Sequence, residues 1–288
     1  MWRMVDTIEG GAFGPEFRCT LVLPTYGAVD FIASTVTRVR RFLDGHRDWC
    51  ALFVVDGCPH GTAEKLLPLI ENLAPQIRLD HYETNRGKGY ALRRGLNLAK
   101  TPYRVYTDVD LAYDPEEAVK IQRLLEAGAD VGVVNRASPE SRFLISPNEF
   151  PRIYKRHLMS RGFNWWLRRM LPIRILDTQA GLKGLTAKAW EIIGPQMTSD
   201  GFFFDVELLA LAGAANMRIE EVAVMVTYID PTTVKMITHG WAMIKDTMRL
   251  RRSLKRAKKS VSITVPQRAI KVGRKLRGGL MRSATGPL

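Results

Sequence analysis

The chain has 288 residues, 46% hydrophobic and 25% charged, which is enough to bury one sizeable core. Three cysteines (Cys19, Cys50, Cys58) are too few and too scattered for a disulfide framework or a thiolate zinc site, so a reduced, cytoplasmic setting is expected. The net charge of +14 is unevenly placed: residues 249–288 hold 13 of the 43 Lys and Arg and no acid, leaving 30 basic against 29 acidic residues in 1–248.

In chain order, residues 1–17 read as a loose leader, with Gly10, Gly11, Gly14 and Pro15 close together and no apolar signal core. Cys19–Leu23 is a short apolar run stopped by Pro24, the pattern of a buried strand. Residues 30–43 carry helical spacing. Ala51–Val55 is a second buried strand, ending in Asp56-Gly57. Thr62 is placed to cap a helix over 63–73, which Pro68 interrupts. Ile77–Tyr82 alternates as a strand, and 89–99 is helical in pattern. Tyr103–Thr107 is a strand that runs into Asp108-Val109-Asp110. Asp114-Pro115-Glu116-Glu117 reads as a helix start, with cap, proline and first-turn acids. Asp130–Val134 is a further strand. Residues 137–152 read as a flexible loop, 152–171 as a basic, aromatic helical stretch, 177–184 as a loop or strand end, and 202–215 as a helix. Val222–Tyr228 is the last strand. No run of about 18 apolar residues is present to cross a membrane.

This alternation predicts a mainly parallel α/β sheet with helices on both faces. Ligands of such sheets sit beyond the C-terminal strand ends, where Asp56 and Asp108/Asp110 fall. Two carboxylates at i and i+2 after a buried strand suit Mg2+ or Mn2+, which takes one or two protein carboxylates and completes its shell with phosphate oxygens and water. The bland reading is a solvated acidic turn; the position at a strand end favours the metal. Asn85-Arg-Gly-Lys-Gly-Tyr90 opens a helix. There, Gly87 and Gly89 are expected to let backbone approach a ligand, with helix N–H groups, Arg86 and Lys88 attracting phosphate. A turn with solvated charges is the alternative.

Six motifs in order resemble family 2 glycosyltransferases, and within them the dolichyl- and polyprenyl-phosphate mannosyl- and glucosyltransferases. They are Leu-Pro-Thr-Tyr (23–26), Val-Val-Asp-Gly…Gly-Thr (54–62), Asn-Arg-Gly-Lys-Gly (85–89), Asp-Val-Asp-Leu (108–111), Asp-Thr-Gln-Ala-Gly-Leu-Lys (177–183) and Phe-Asp-Val-Glu-Leu-Leu (204–209). The likeness covers about residues 18–252. It implies a GT-A-type fold and a hexose donor carried on UDP or GDP. Pro24, Tyr26, Asp56, Arg86, Lys88, Asp108, Val109 and Asp110 would hold the nucleotide, and Asp108 and Asp110 the metal. It further implies that Arg136, Arg156 and Ser160 hold an acceptor phosphate, with Gln179 and Glu207 beside the acceptor. Asp177 and Gln179 would shape the sugar site, with Asp205 and Glu207 nearby, and Asp205, then Asp177, would be the base if the acceptor is a hydroxyl. Many relatives carry a metal-binding Gln where this chain has Ala112, and many carry transmembrane helices.

The expected domains are the leader 1–17, a catalytic domain 18–233, a basic amphipathic helix 234–260 and a basic flexible tail 261–288. Catalysis would be inverting, with Asp205, Asp177, Arg136 and Arg156 at the reacting centre. A polyprenyl phosphate is the favoured acceptor; a soluble or saccharide hydroxyl is the alternative, and a non-catalytic basic binder of membranes or nucleic acid the third. A sugar nucleotidyltransferase would want a Gly-rich loop after the first strand, which Pro24–Gly27 is not. Residues 249–282 are expected to meet an anionic membrane surface, placing the protein in the cytoplasm and peripherally on the membrane's cytoplasmic face. Nucleic acid is set aside because no base-reading motif accompanies the charge.

Overall fold

The computed structural model describes residues 16–59, 61–73, 76–144, 161–227 and 236–264. The apolar runs become strands because both their faces are covered. Every residue of β1 (Cys19–Thr25) and β2 (Trp49–Asp56) is buried. With β3 (Ile77–Tyr82), β4 (Tyr103–Tyr106), β5 (Val131–Val134), β7 (Lys183–Thr186) and β8 (Ile219–Val222) they form one sheet, in the order β3-β2-β1-β4-β7-β5-β8. All pairs are parallel except those of β7, which runs antiparallel to β4 and β5. A separate parallel pair joins β6 (Arg142–Leu144) to β9 (Met225–Thr227).

The connecting helices are α1 (Ile32–Gly45), α2 (Thr62–Ile70), α3 (Lys88–Leu98), α4 (Glu117–Glu126), helical residues 161–170 (α5), α6 (Ala187–Ile193), α7 (Phe204–Ala214) and α8 (Met236–Thr264). Strand side chains alternate between faces, so each face receives its own helices. Cys19, Leu21 and Leu23 pack in one core with Ile32, Val36 and Val39 of α1 and Ile121 and Leu125 of α4. On the other face Gly95 of α3 packs so closely on Val22 and Val54 that an added Cβ would stand 2.5 Å from Val22 Cγ1. The α/β sandwich predicted from the alternation is therefore present.

Several boundaries differ from expectation, for identifiable reasons. Strand β1 runs through Pro24 because its ladder with β4 ends at Val22, so no partner is lost where the proline lacks its N–H. Helix α4 starts at Glu117, not at Pro115; the Asp114 side chain accepts the Glu116 N–H at 3.1 Å, an Asx turn ahead of the helix. Helix α2 stops at Ile70 and tightens into a 3₁₀ turn, Glu71–Leu73, and Thr62 hydrogen-bonds Cys58 instead of capping. The last predicted strand is two: β8 pairs with β5, the chain turns inward at Val224, and β9 pairs with β6. Strand β6 lies in the segment read as loop. Contacts divide the chain into two compact units, Met1–Thr247 and Met248–Leu288. Among the described residues no helix is long and apolar enough to cross a membrane.

Candidate functional site

The C-terminal ends of β1, β2, β4 and β5 and the start of antiparallel β7 meet at one sheet edge. After β4 the chain makes a tight turn. The Leu111 N–H donates to the Asp108 carbonyl at 3.0 Å, and Leu111 sits at φ +49°, a left-handed conformation that β-carbon sterics disfavour. Helix α1 fixes this turn: the Thr35 hydroxyl donates to the Val109 carbonyl at 2.9 Å, and Arg38 donates to the Leu111 carbonyl at 3.2 Å. The turn thus presents Asp108, half-buried, and Asp110, exposed as a residue but with its carboxyl crowded by the surrounding protein. Desolvation and the neighbouring Asp108 hold the Asp110 carboxyl above its ordinary range. Two carboxylates crowded on one turn fit a divalent cation, which would relieve their mutual repulsion. Among the described residues no three acids, histidines or cysteines form a complete cage, so Asp108 and Asp110 would need ligand oxygens to complete the shell.

Lys88, the first residue of α3, pairs with Asp108 (Nζ–Oδ1 2.5 Å). Burial pulls its pKa down, but Asp108, Asp205 and Asp110 outweigh that and hold it above the ordinary value. Gly181 closes on Asp108 from the other side; a Cβ there would lie 2.2 Å from Asp108 Oδ2. Gly181→Ala is therefore expected to displace the Asp108 carboxylate. Nucleotide affinity should fall by tenfold or more while the melting temperature changes little, to be checked by isothermal titration beside calorimetry; unchanged affinity would count against Asp108 as a ligand.

The loop 85–89 is built differently from expectation. Asp56, buried at the end of β2, accepts the Arg86 N–H at 2.7 Å and the Gly87 N–H at 2.8 Å. The Asp200 carbonyl accepts the Gly89 N–H at 2.8 Å and the Tyr90 N–H at 3.2 Å. These amides are already satisfied by protein, so they are not the phosphate cradle that the sequence suggested. The glycines answer to the same packing: a Cβ on Gly87 or Gly89 would strike the carbonyls of Asp200 and Ser199, at 2.4 and 2.5 Å. Side chains are what this loop offers to a ligand. Arg86 stacks on Tyr90 with its guanidinium carbon 3.7 Å from the ring centroid. Asp56, with both oxygens engaged, shapes the loop. Tyr26 is exposed just past β1, where Pro24 is buried, and Val109 is buried beneath the acidic turn.

Beyond β5, Arg136 forks onto Asp177: its Nε donates to Oδ2 at 2.7 Å and its Nη2 to Oδ1 at 2.9 Å, with its backbone N–H adding a third bond at 3.1 Å. Although burial pushes the Asp177 carboxyl up, Arg136 and Lys183 outweigh it and leave it low. Asp205, on α7, accepts from Lys183 Nζ at 2.7 Å and from the Tyr106 hydroxyl at 2.7 Å. Its carboxyl is likewise pushed up by burial but held low, by Lys183 and Lys88. Without ligand, each of the two candidate bases is engaged by a cation that holds its carboxyl low.

Glu207, expected near the acceptor, instead organises the loop that caps α3. Its carboxylate accepts the Thr198 N–H at 3.0 Å, the Thr198 hydroxyl at 2.7 Å and the Ser199 N–H at 2.8 Å. Gln179 stays beside Asp177, its N–H donating to Oδ1 at 3.3 Å and its Nε2 to Met243 Sδ at 3.7 Å. Arg156 and Ser160 lie outside the described residues. Sequence reasoning assigned no role to Lys183, Tyr106 or Asn164. Lys183 is fully buried between Asp205 and the Ala180 carbonyl, and Asn164 of α5 holds Thr178 through its backbone and hydroxyl. A lysine closing the 177–183 motif at a strand start was the available signal for the first; Asn164 left none.

The model of the family described as Glycosyl transferase family 2 matches residues 20–180. The chain is 30% identical over 252 residues to a dolichyl-phosphate beta-glucosyltransferase of Dictyostelium discoideum, covering 86% of this chain and 75% of that protein. It is 25% identical over 222 residues to a polyprenol monophosphomannose synthase of Mycolicibacterium smegmatis, covering 74% and 78%. Among solved structures, glucosyl-3-phosphoglycerate synthase from Mycobacterium tuberculosis, in complex with Mg2+ and UDP, shares the fold with a TM-score of 0.59 at 17% identity, over 83% of this chain and 79% of that one.

Proposed function

This chain belongs to glycosyltransferase family 2, and from that membership we propose that it moves a hexose from a UDP- or GDP-sugar to a polyprenyl phosphate, in one displacement with inversion. The observation that carries the acceptor is the state of the two candidate bases. Asp205 is tied to Lys183 and Tyr106, and Asp177 to Arg136, so neither is poised to take a proton from a hydroxyl. A phosphate monoester is already an anion and needs orientation, not deprotonation. A hydroxyl acceptor is disfavoured on the same ground.

In this reading Asp108 and Asp110 hold Mg2+ or Mn2+, which neutralises charge on the departing nucleotide diphosphate. Lys88 and Arg86 bring cationic side chains to the same phosphates. Tyr26, Pro24 and Val109 line the nucleotide, and Asp56 acts on it through the loop it shapes. Arg136, fixed by Asp177, and Arg156 with Ser160 present the acceptor phosphate. Gln179 borders the sugar. The relatives' lipid-phosphate names and the UDP and metal of the structural neighbour support these assignments. The basic surface of 249–282 would hold the enzyme on an anionic cytoplasmic leaflet, each Lys or Arg contributing about 1 kcal/mol there; residues 265–282 of it lie outside the described residues.

The test is a transfer assay with radiolabelled UDP- and GDP-hexoses, Mn2+ or EDTA, and two acceptors: a polyprenyl phosphate in detergent and a panel of saccharides. Metal-dependent label in the lipid-phosphate fraction is the expected result. Label in the saccharides alone would overturn the acceptor, and no label with any donor would overturn the transferase activity.

A further inference from the structure

Lys88 is in an unusual place for a lysine. It is the first residue of an 11-residue helix, where the backbone dipole is positive and repels a cation. Its side chain is only 18% exposed. What offsets this is Asp108, in contact at 2.5 Å, with Asp205 and Asp110 contributing from nearby. Asp108 in turn is pinned against Gly181, the one residue type that leaves it room. The carboxylate expected to carry the metal is thus already engaged by an internal cation.

Three carboxylates (Asp108, Asp110, Asp205) face two ammonium groups (Lys88, Lys183), and Arg38 beside Asp110 is balanced by its own partner Asp114, leaving a single net negative charge. A divalent ion arriving alone would reverse that charge and push Lys88 off Asp108 with no new anion to receive it. Lys183 offers no relief, because it is fully buried and pinned on Asp205 and the Ala180 carbonyl. A divalent ion arriving with a doubly charged diphosphate leaves the balance unchanged, and the phosphate oxygens give Lys88 its new partner. We infer that Lys88 occupies the Asp108 carboxylate until the donor diphosphate arrives, so that metal and nucleotide enter together and metal alone binds poorly. This rests on the reading of Asp108 and Asp110 as the metal ligands.

The experiment is a Mn2+ titration of the full chain, following free Mn2+ by its paramagnetic resonance, alone and with saturating UDP or GDP. Wild type is expected to bind Mn2+ at least about tenfold more tightly with nucleotide present, a typical size for coupling between sites. Lys88→Gln is expected to bind Mn2+ alone at least about tenfold more tightly than wild type, and Lys88→Arg, which keeps the charge, to behave as wild type. Lys88→Gln binding Mn2+ alone no better than wild type would overturn the inference while leaving the site intact. Wild type failing to bind Mn2+ with either nucleotide would overturn the metal site and the inference together. Should Lys88→Gln not fold, the ammonium nitrogen resonance of Lys88 in wild type decides: it is expected to move when Mg2+ and nucleotide are added together and to stay put with Mg2+ alone, and movement with Mg2+ alone would overturn the inference.

Discussion

Asp110→Asn is expected to lower kcat/KM by about 10³-fold while leaving the metal-free protein at least as stable as wild type. The activity term follows from the proposed role: losing a ligand to an ion that supplies several kcal/mol of transition-state charge stabilisation costs roughly a factor of ten per 1.4 kcal/mol. The stability term follows from the carboxyl itself. Desolvation and Asp108 raise its folded pKa, so the folded state holds its proton more tightly than the unfolded chain does. A group shifted in that direction contributes stability only at low pH, and that contribution is lost as the pH rises through the folded value. At neutral pH Asp110 is therefore a burden on the free protein, and a neutral isostere removes it. Thermal melts in EDTA paired with initial rates check both halves. A variant that melts well below wild type would mean that Asp110 serves the fold, and one that keeps its rate would remove it from the metal site.

This combination also explains what could be read from the sequence and what could not. The sheet was legible because its central strands are buried on both faces, so β1 and β2 are continuous apolar runs that admit one reading. The acidic turn was legible because a hydrophilic D-x-D directly after such a run must fall at the sheet edge. Partnership was not legible. Whether Asp205 is a base or half of an ion pair depends on Lys183, which is 22 residues away in the chain and reaches it only because β7 inserts antiparallel beside β4, setting Lys183 opposite Tyr106. A lone βαβα pattern predicts parallel strands and gives no sign of that reversal. Likewise the amides of Arg86, Gly87, Gly89 and Tyr90 look free in sequence, and only the packing of Asp56 and Asp200 shows them taken. Glu207 was misassigned for the same reason, since it lies two residues from Asp205 yet serves a different loop.

The Asp205–Lys183 pair yields the second large effect, and it separates structure from catalysis. Asp205→Asn keeps the shape but leaves a fully buried ammonium without its counter-ion. Breaking a buried pair from one side costs about 3–5 kcal/mol, which for a domain of this size lowers the melting temperature by roughly 10 °C. The penalty depends on pH in a definite direction. Burial already lowers the Lys183 pKa, and loss of Asp205 lowers it further, so the deficit is full at neutral pH and shrinks as alkaline pH lets the amine shed its proton. On the acid side Asp205 and Asp177 are both held low, so the stability they contribute is complete above about pH 4 and lost as the pH falls through their folded values. Adding Lys183→Met to Asp205→Asn removes both charges, and replacing a buried pair by apolar packing is often neutral. The double variant is therefore expected to regain the melting temperature to within a few degrees and, since a phosphate acceptor asks for no base, to keep transferase activity within about tenfold of wild type, a span of about 1.4 kcal/mol. Melts from pH 5 to 9 and rates on polyprenyl phosphate read the two properties independently. A double variant that folds as wild type but turns nothing over would return Asp205 to the reacting centre and reopen the case for a hydroxyl acceptor.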